Sequence, residues 1–180
     1  EMLKQSLPLL ILCGIGAVVA GSTLNIMKEL FIQIPGLLVV IPAVIAMRGN
    51  ISTAFGSRLG SAYHLGVIDK DNLLNEELKQ NMIGSLSLSF LMSFFIGVLS
   101  YIISFLMGVS PSPYELILIV TFAGVLSGLI LSFITIGIIY LVFKRGYDPD
   151  NITGPALATF GDIITILCIL FSAVILGGLF

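Results

Sequence analysis

Long apolar runs separated by short polar joints dominate the chain. Five of them, at about residues 7–27, 31–47, 82–108, 114–143 and 154–180, reach or approach the roughly 20 residues a helix needs to cross a bilayer core. None shows the two-residue alternation of a membrane β-strand. The spacing therefore predicts an all-α, polytopic membrane protein with five transmembrane helices, residues 1–180 forming a single five-helix domain. The first run opens on Leu7-Pro8 and carries Gly14, Gly16 and Gly21, too long and glycine-rich for the apolar core of a signal peptide. The second run is short, but nothing after Met47 obviously breaks a helix, so this helix is free to continue to about residue 64. Ser110-Pro111-Ser112-Pro113 is expected to form a tight turn, with Pro113 placed to open the fourth helix.

Composition agrees. Hydrophobic residues make up 57% of the chain and charged residues 10%, with a mean hydropathy of +1.13; a soluble domain carries about 25% charged residues. A net charge of −2 with no basic block offers nothing to nucleic acid. Cys13 and Cys168 lie far apart in apolar runs, as free buried thiols do, without the spacing of a disulfide framework or a thiolate metal site. If the N-terminus is cytoplasmic, then Lys4, Arg48, Arg58, Lys70, Lys79, Lys144 and Arg145 fall inside and Lys28 alone falls outside. That is the asymmetry of the positive-inside rule. It predicts a multi-pass cell-membrane protein with its C-terminus outside. The chain opens on Glu1, which leaves open whether soluble segments precede it.

The informative polar residues lie within the spans. Asp162 stands about eight residues into the fifth span, on the order of 12 Å along the helix. A carboxylate at that depth costs about 2.5–3.5 kcal/mol on insertion scales unless it faces protein, water or a cation. Pro155, Thr159, Asp162 and Thr165 recur at helical spacing, so Thr159 and Thr165 are expected to flank the acid with hydroxyl oxygens. An all-oxygen stripe suits a hard cation such as Mg²⁺, Ca²⁺ or Mn²⁺. A second stripe, Asn50, Thr53, Ser57, Ser61 and His64, follows the second run at steps of three and four. Small residues accompany it, so it serves either close helix contact or a polar path toward the cytoplasm. Ser127, Ser132 and Thr135 are expected to bond back to carbonyls of their own helix.

Two runs resemble a known family. Ile41-Pro42-Ala43-Val44-Ile45-Ala46-Met47-Arg48-Gly49-Asn50, followed by Ser57-Arg58-Leu59-Gly60, resembles the second-helix signature of the MgtE-type magnesium channels and their animal solute-carrier relatives. Asp148-Pro149-Asp150-Asn151, followed by Pro155, Thr159, Gly161 and Asp162, is similar to the fifth-helix signature, nearer the solute-carrier branch. The resemblance implies a homodimer whose ion path is built by the second and fifth helices of both copies. In it Asp162 corresponds to the pore acid, and Ala158 offers a backbone carbonyl beside a hydrated ion. Asn50 belongs to the Gly-Asn element near the path, and Asp148 matches an acid at the cytoplasmic mouth. Animal relatives fuse two five-helix repeats, so here a second copy is expected to supply the other half.

The expected function is thus a Mg²⁺ channel or transporter, the lipid bilayer and a second copy of the chain being its partners and Mg²⁺ its cargo. An H⁺- or Na⁺-coupled divalent cation carrier and a non-transporting membrane scaffold are the alternatives. Enzyme activity is not expected: the chain has one histidine, no His-Glu-x-x-His and no Ser/His pair at catalytic spacing.

Overall fold

The structure, a computed structural model, describes residues 2–68, 75–144 and 149–177. Among these residues all regular structure is helical: α1 (Met2–Ile26), α2 (Lys28–Gln33), α3 (Leu37–His64), α4 (Glu76–Leu106), α5 (Pro113–Lys144) and α6 (Pro149–Leu176). Helices α3 to α6 are each long and apolar enough to cross a membrane. Helix α1 is 25 residues long, but its apolar part, Leu10–Ile26, is shorter than these four; it stands where the sequence puts the first span, and α2 is a short addition between it and α3. The second crossing helix therefore begins at Leu37 rather than near residue 31. Pro35-Gly36 sets that start: Gly36 holds φ of +88°, a backbone region open to glycine, and a Cβ there would stand 2.7 Å from Ser104 Oγ.

From Leu37 the helix runs unbroken through Pro42 and Arg48 to His64. The next one starts where Asn75 caps it, its Oδ1 accepting from Leu78 N at 2.9 Å while its Nδ2 donates to Val67 O at 2.8 Å. Glu76 and Glu77 in that first turn suit the positive end of the helix. Helix α4 ends at Gly108, φ +78°, where Gly108 N and Val109 N return to Phe105 O and Ser104 O. Pro113 then opens α5.

Helices α3, α5 and α6 pack on one another, α4 covers α3 and α5, and α1 docks on α6. In lipid the contacts between helices must come from close fit, and small residues supply it. Ser85, Ser89, Ser93, Gly97, Ser100 and Ser104 form a buried stripe on α4. Gly124 and Gly128 of α5 face it: a Cβ on either would strike Ser93 or Ser89. Ser104 Oγ is buried without a partner among the described residues, whereas two of the serine hydroxyls turn to carbonyls of their own helix, Ser89 to Ser85 O at 2.6 Å and Ser93 to Ser89 O. Ser127, Ser132 and Thr135 do likewise on α5, to Gly124 O, Gly128 O and Leu131 O. Apolar side chains such as Leu91, Phe94, Phe95 and Phe105 of α4 remain exposed, toward lipid.

Candidate functional site

Helix α3 meets α6 where Gly56 lies against Leu157 and Thr153; a Cβ on Gly56 would come within 2.9 Å of Leu157 Cδ1 and 3.3 Å of Thr153 Cγ2. Below this contact a groove of about 300 Å³ opens, lined by Thr53, Ser57, Ser61 and His64 of α3 and by Thr153 and Gly154 of α6. Thr153 Oγ1 is buried there without a hydrogen-bond partner among the described residues. The stripe read from the sequence thus divides. Thr53, Ser57, Ser61 and His64 face the groove, whereas Asn50 lines a neighbouring one between α3 and α4 with Arg58, Gln80 and Asn81. Asn50, Thr53, Ser57 and Ser61 are all exposed.

The two helices run antiparallel across the membrane. Moving from the Gly56–Leu157 contact by about one and a half turns, toward the start of α3 and toward the end of α6, brings Asn50 and Asp162 to about the same depth. Asp162 is half-buried and Ala158, one turn earlier, is exposed. The flanking hydroxyls behave differently from one another. Thr159 Oγ1 donates to Pro155 O at 3.1 Å, and its Cγ2 lies over Gly16 of α1, where a Cβ would come within 2.5 Å. Cys13 Sγ reaches the same Pro155 carbonyl at 3.5 Å. Thr165 is fully buried, and its hydroxyl has no partner among the described residues. Asp148 lies outside the described residues.

Arg48, expected at the cytoplasmic side, is 1% exposed in the bundle interior. Its Nη2 donates to Ser89 Oγ at 2.5 Å, and Nη1 occupies the space left open by Gly128, 2.5 Å from where a Cβ would stand. The signal was present in the sequence: Val44, Arg48, Ser52, Phe55 and Leu59 recur at steps of four and three, and all five are buried.

The profile of the MgtE family, described as divalent cation transporter, matches residues 41–172, a stretch that includes α4 and α5 entire and nearly all of α3 and α6. The chain belongs to the MgtE family. Relatives include solute carrier family 41 member 2 of Homo sapiens, 29% identical over 178 residues, covering 92% of this chain and 30% of that protein. The Xenopus laevis member 2 is 30% identical over the same length. Solute carrier family 41 member 3 of Rattus norvegicus is 28% identical over 172 residues, covering 91% of this chain and 36% of that protein. The chain thus spans about a third of the length of the curated relatives it matches. The MgtE family is one of transporters, and the long apolar helices of this chain are those of a multi-pass membrane protein. The matched region holds both helices whose polar faces meet at the groove.

Proposed function

We propose that the protein carries Mg²⁺ across the cell membrane along a path lined by α3 and α6 on the twofold axis of a homodimer, residues 1–180 acting as one five-helix unit. The observation that carries this reading is the open polar face of the single chain. Asn50, Thr53, Ser57 and Ser61 on α3 are exposed sideways, as is Ala158 on α6, with half-buried Asp162 beside it at the depth of Asn50. Hydrocarbon cannot solvate such a face. A second copy related by a twofold axis, the commonest closed symmetry, encloses it and doubles the charge to two carboxylates. Mg²⁺ sheds water reluctantly and is usually bound by one or two carboxylates with several waters retained. Paired Asp162 residues with neutral oxygens from Asn50, Thr53 and the Ala158 carbonyl suit a hydrated ion. Thr159 holds the Pro155 carbonyl beside the path, and Asp148 marks its cytoplasmic mouth. With Arg48 counted as buried, six of the other seven Lys and Arg residues still fall inside when the N-terminus is cytoplasmic, which supports that orientation.

Reconstitution into liposomes loaded with a Mg²⁺-sensitive dye tests the proposal. Wild-type protein should carry Mg²⁺, and Asp162→Asn, folded and inserted to the same extent, should lose nearly all flux because the change removes both charges of the dimer. Undiminished flux through Asp162→Asn would assign this carboxylate to helix contact and place the ion path elsewhere. Imposed pH and Na⁺ gradients in the same assay separate a channel from a coupled carrier.

A further inference from the structure

We propose that Arg48 is a fixed positive charge set behind the ion path, where it weakens cation binding and sets the concentration at which transport saturates. This rests on the reading of α3 and α6 as the walls of the path. Arginine keeps its proton in proteins, so the buried guanidinium is a permanent charge. Its described surroundings do not neutralise it. Ser89 accepts one hydrogen bond, Gly128 provides room, the Cys168 thiol of α6 lies within electrostatic reach, and Nε has no partner among the described residues. Lys79 pairs with Glu76 on α4, whereas Arg48 has no carboxylate beside it among the described residues.

The charge stands close to the path but outside it. Arg48 precedes Asn50 by two residues on one continuous helix, and two residues turn a helix through about 200°. The guanidinium is therefore on the side of α3 opposite Asn50, separated from the path by a helix diameter of about 10 Å. At such a separation in a partly apolar medium a fixed charge changes the affinity for a dication by about tenfold or more. The sign is repulsive. The two Asp162 carboxylates attract the ion and the two Arg48 charges temper that attraction. A conducting path needs binding weak enough to allow exit, and this pairing provides it. A purely structural Arg48 predicts something else: an apolar chain of similar length packs at least as well as an unpaired buried charge, with no effect on ion affinity.

The dependence of liposome Mg²⁺ flux on Mg²⁺ concentration decides the matter. Arg48→Met should lower the half-saturating concentration about tenfold or more and reduce the maximal rate as exit slows, while Arg48→Lys should keep the wild-type half-saturation. A second pair of variants leaves Arg48 in place. Ser89→Asp puts a carboxylate where the guanidinium already donates, cancels its field and should reproduce the Arg48→Met shift; Ser89→Asn, of the same size but neutral, should not. If Arg48→Met does not fold, the Ser89 pair decides alone. Saturable wild-type flux whose half-saturation is unmoved by Ser89→Asp, or moved equally by Ser89→Asn, overturns the inference by itself. Absence of wild-type Mg²⁺ flux would be the failure of the transport reading, and the inference would fall with it.

Discussion

At the residue scale, the glycines of α5 show how much a single side chain decides in a bundle held together by close fit. Gly124 meets Ser93, and a Cβ at that position has no space; Gly137, on the same helix, has nothing within 4 Å of its Cβ position. Alanine should therefore act in opposite directions at the two sites. Gly124→Ala forces α4 away from α5 and should destabilise the protein by about 1–3 kcal/mol, as overpacking does. Gly137→Ala should be neutral or stabilising by roughly 0.5–1 kcal/mol, because alanine loses less backbone entropy in a helix. Thermal melting of the two variants in one mild detergent checks the contrast. Equal melting temperatures would mean that the α4–α5 contact yields more readily than its geometry indicates. Ser89 and Ser93 illustrate a related point. Each looks like a polar liability in a span, yet each hydroxyl turns to a carbonyl four residues earlier and leaves the helix surface small rather than sticky.

At the scale of one element, α3 carries two opposed faces on one rod. One is the buried row through Val44, Arg48, Ser52, Phe55 and Leu59; the other is the exposed row through Asn50, Ser57 and Ser61. The exposed row makes few demands on the fold, so its function can be tested by filling it. Ser57→Leu, pointing into the groove shared with Thr153 and Gly154, should leave expression and melting within about 0.5 kcal/mol of wild type, as surface changes do, while removing most of the Mg²⁺ flux. Ser87→Leu, on the exposed face of α4 away from both grooves, is the matched control and should retain flux. If the two variants transport equally, the groove between α3 and α6 is not the route.

At the scale of the whole molecule, the proposed axis must run beside the exposed row of α3. Thr53 is exposed at its middle, so Thr53→Cys, made in a chain with Cys13→Ser to remove the half-buried thiol, should crosslink to its own copy under mild oxidation in the membrane. Cys168 is buried beside Arg48 and should stay unreacted. A cysteine at exposed Val18, on the outer side of α1, should give no dimer band. Crosslinking at Val18 in place of Thr53 would move the axis to another face and leave the polar row without a partner.

The sequence alone determined that the apolar runs are helices, because an apolar run of sufficient length has one stable form in lipid, the helix that satisfies its own backbone. It also singled out Asp162, since a carboxylate at that depth needs a reason wherever its helix lies. It placed the start of α5 at Pro113 and the back-bonded hydroxyls of α5, which depend on neighbours a few residues away, whereas the turn itself falls at Met107 and Gly108, earlier than the Ser-Pro run. Tertiary structure decided what depends on which helices become neighbours. Thr159 shares a stripe with Asp162 in the sequence, but the approach of α1 at Gly16 occupies its methyl, and its hydroxyl goes to Pro155. Asn50 and Ser57 share a stripe too, yet they open onto different grooves once α4 and α6 take their places. Arg48 shows the limit most clearly. Charge counting puts a lone arginine at the membrane edge, and only the meeting of the Ser89 hydroxyl with the gap at Gly128, residues 41 and 80 positions further along the chain, makes room for it inside.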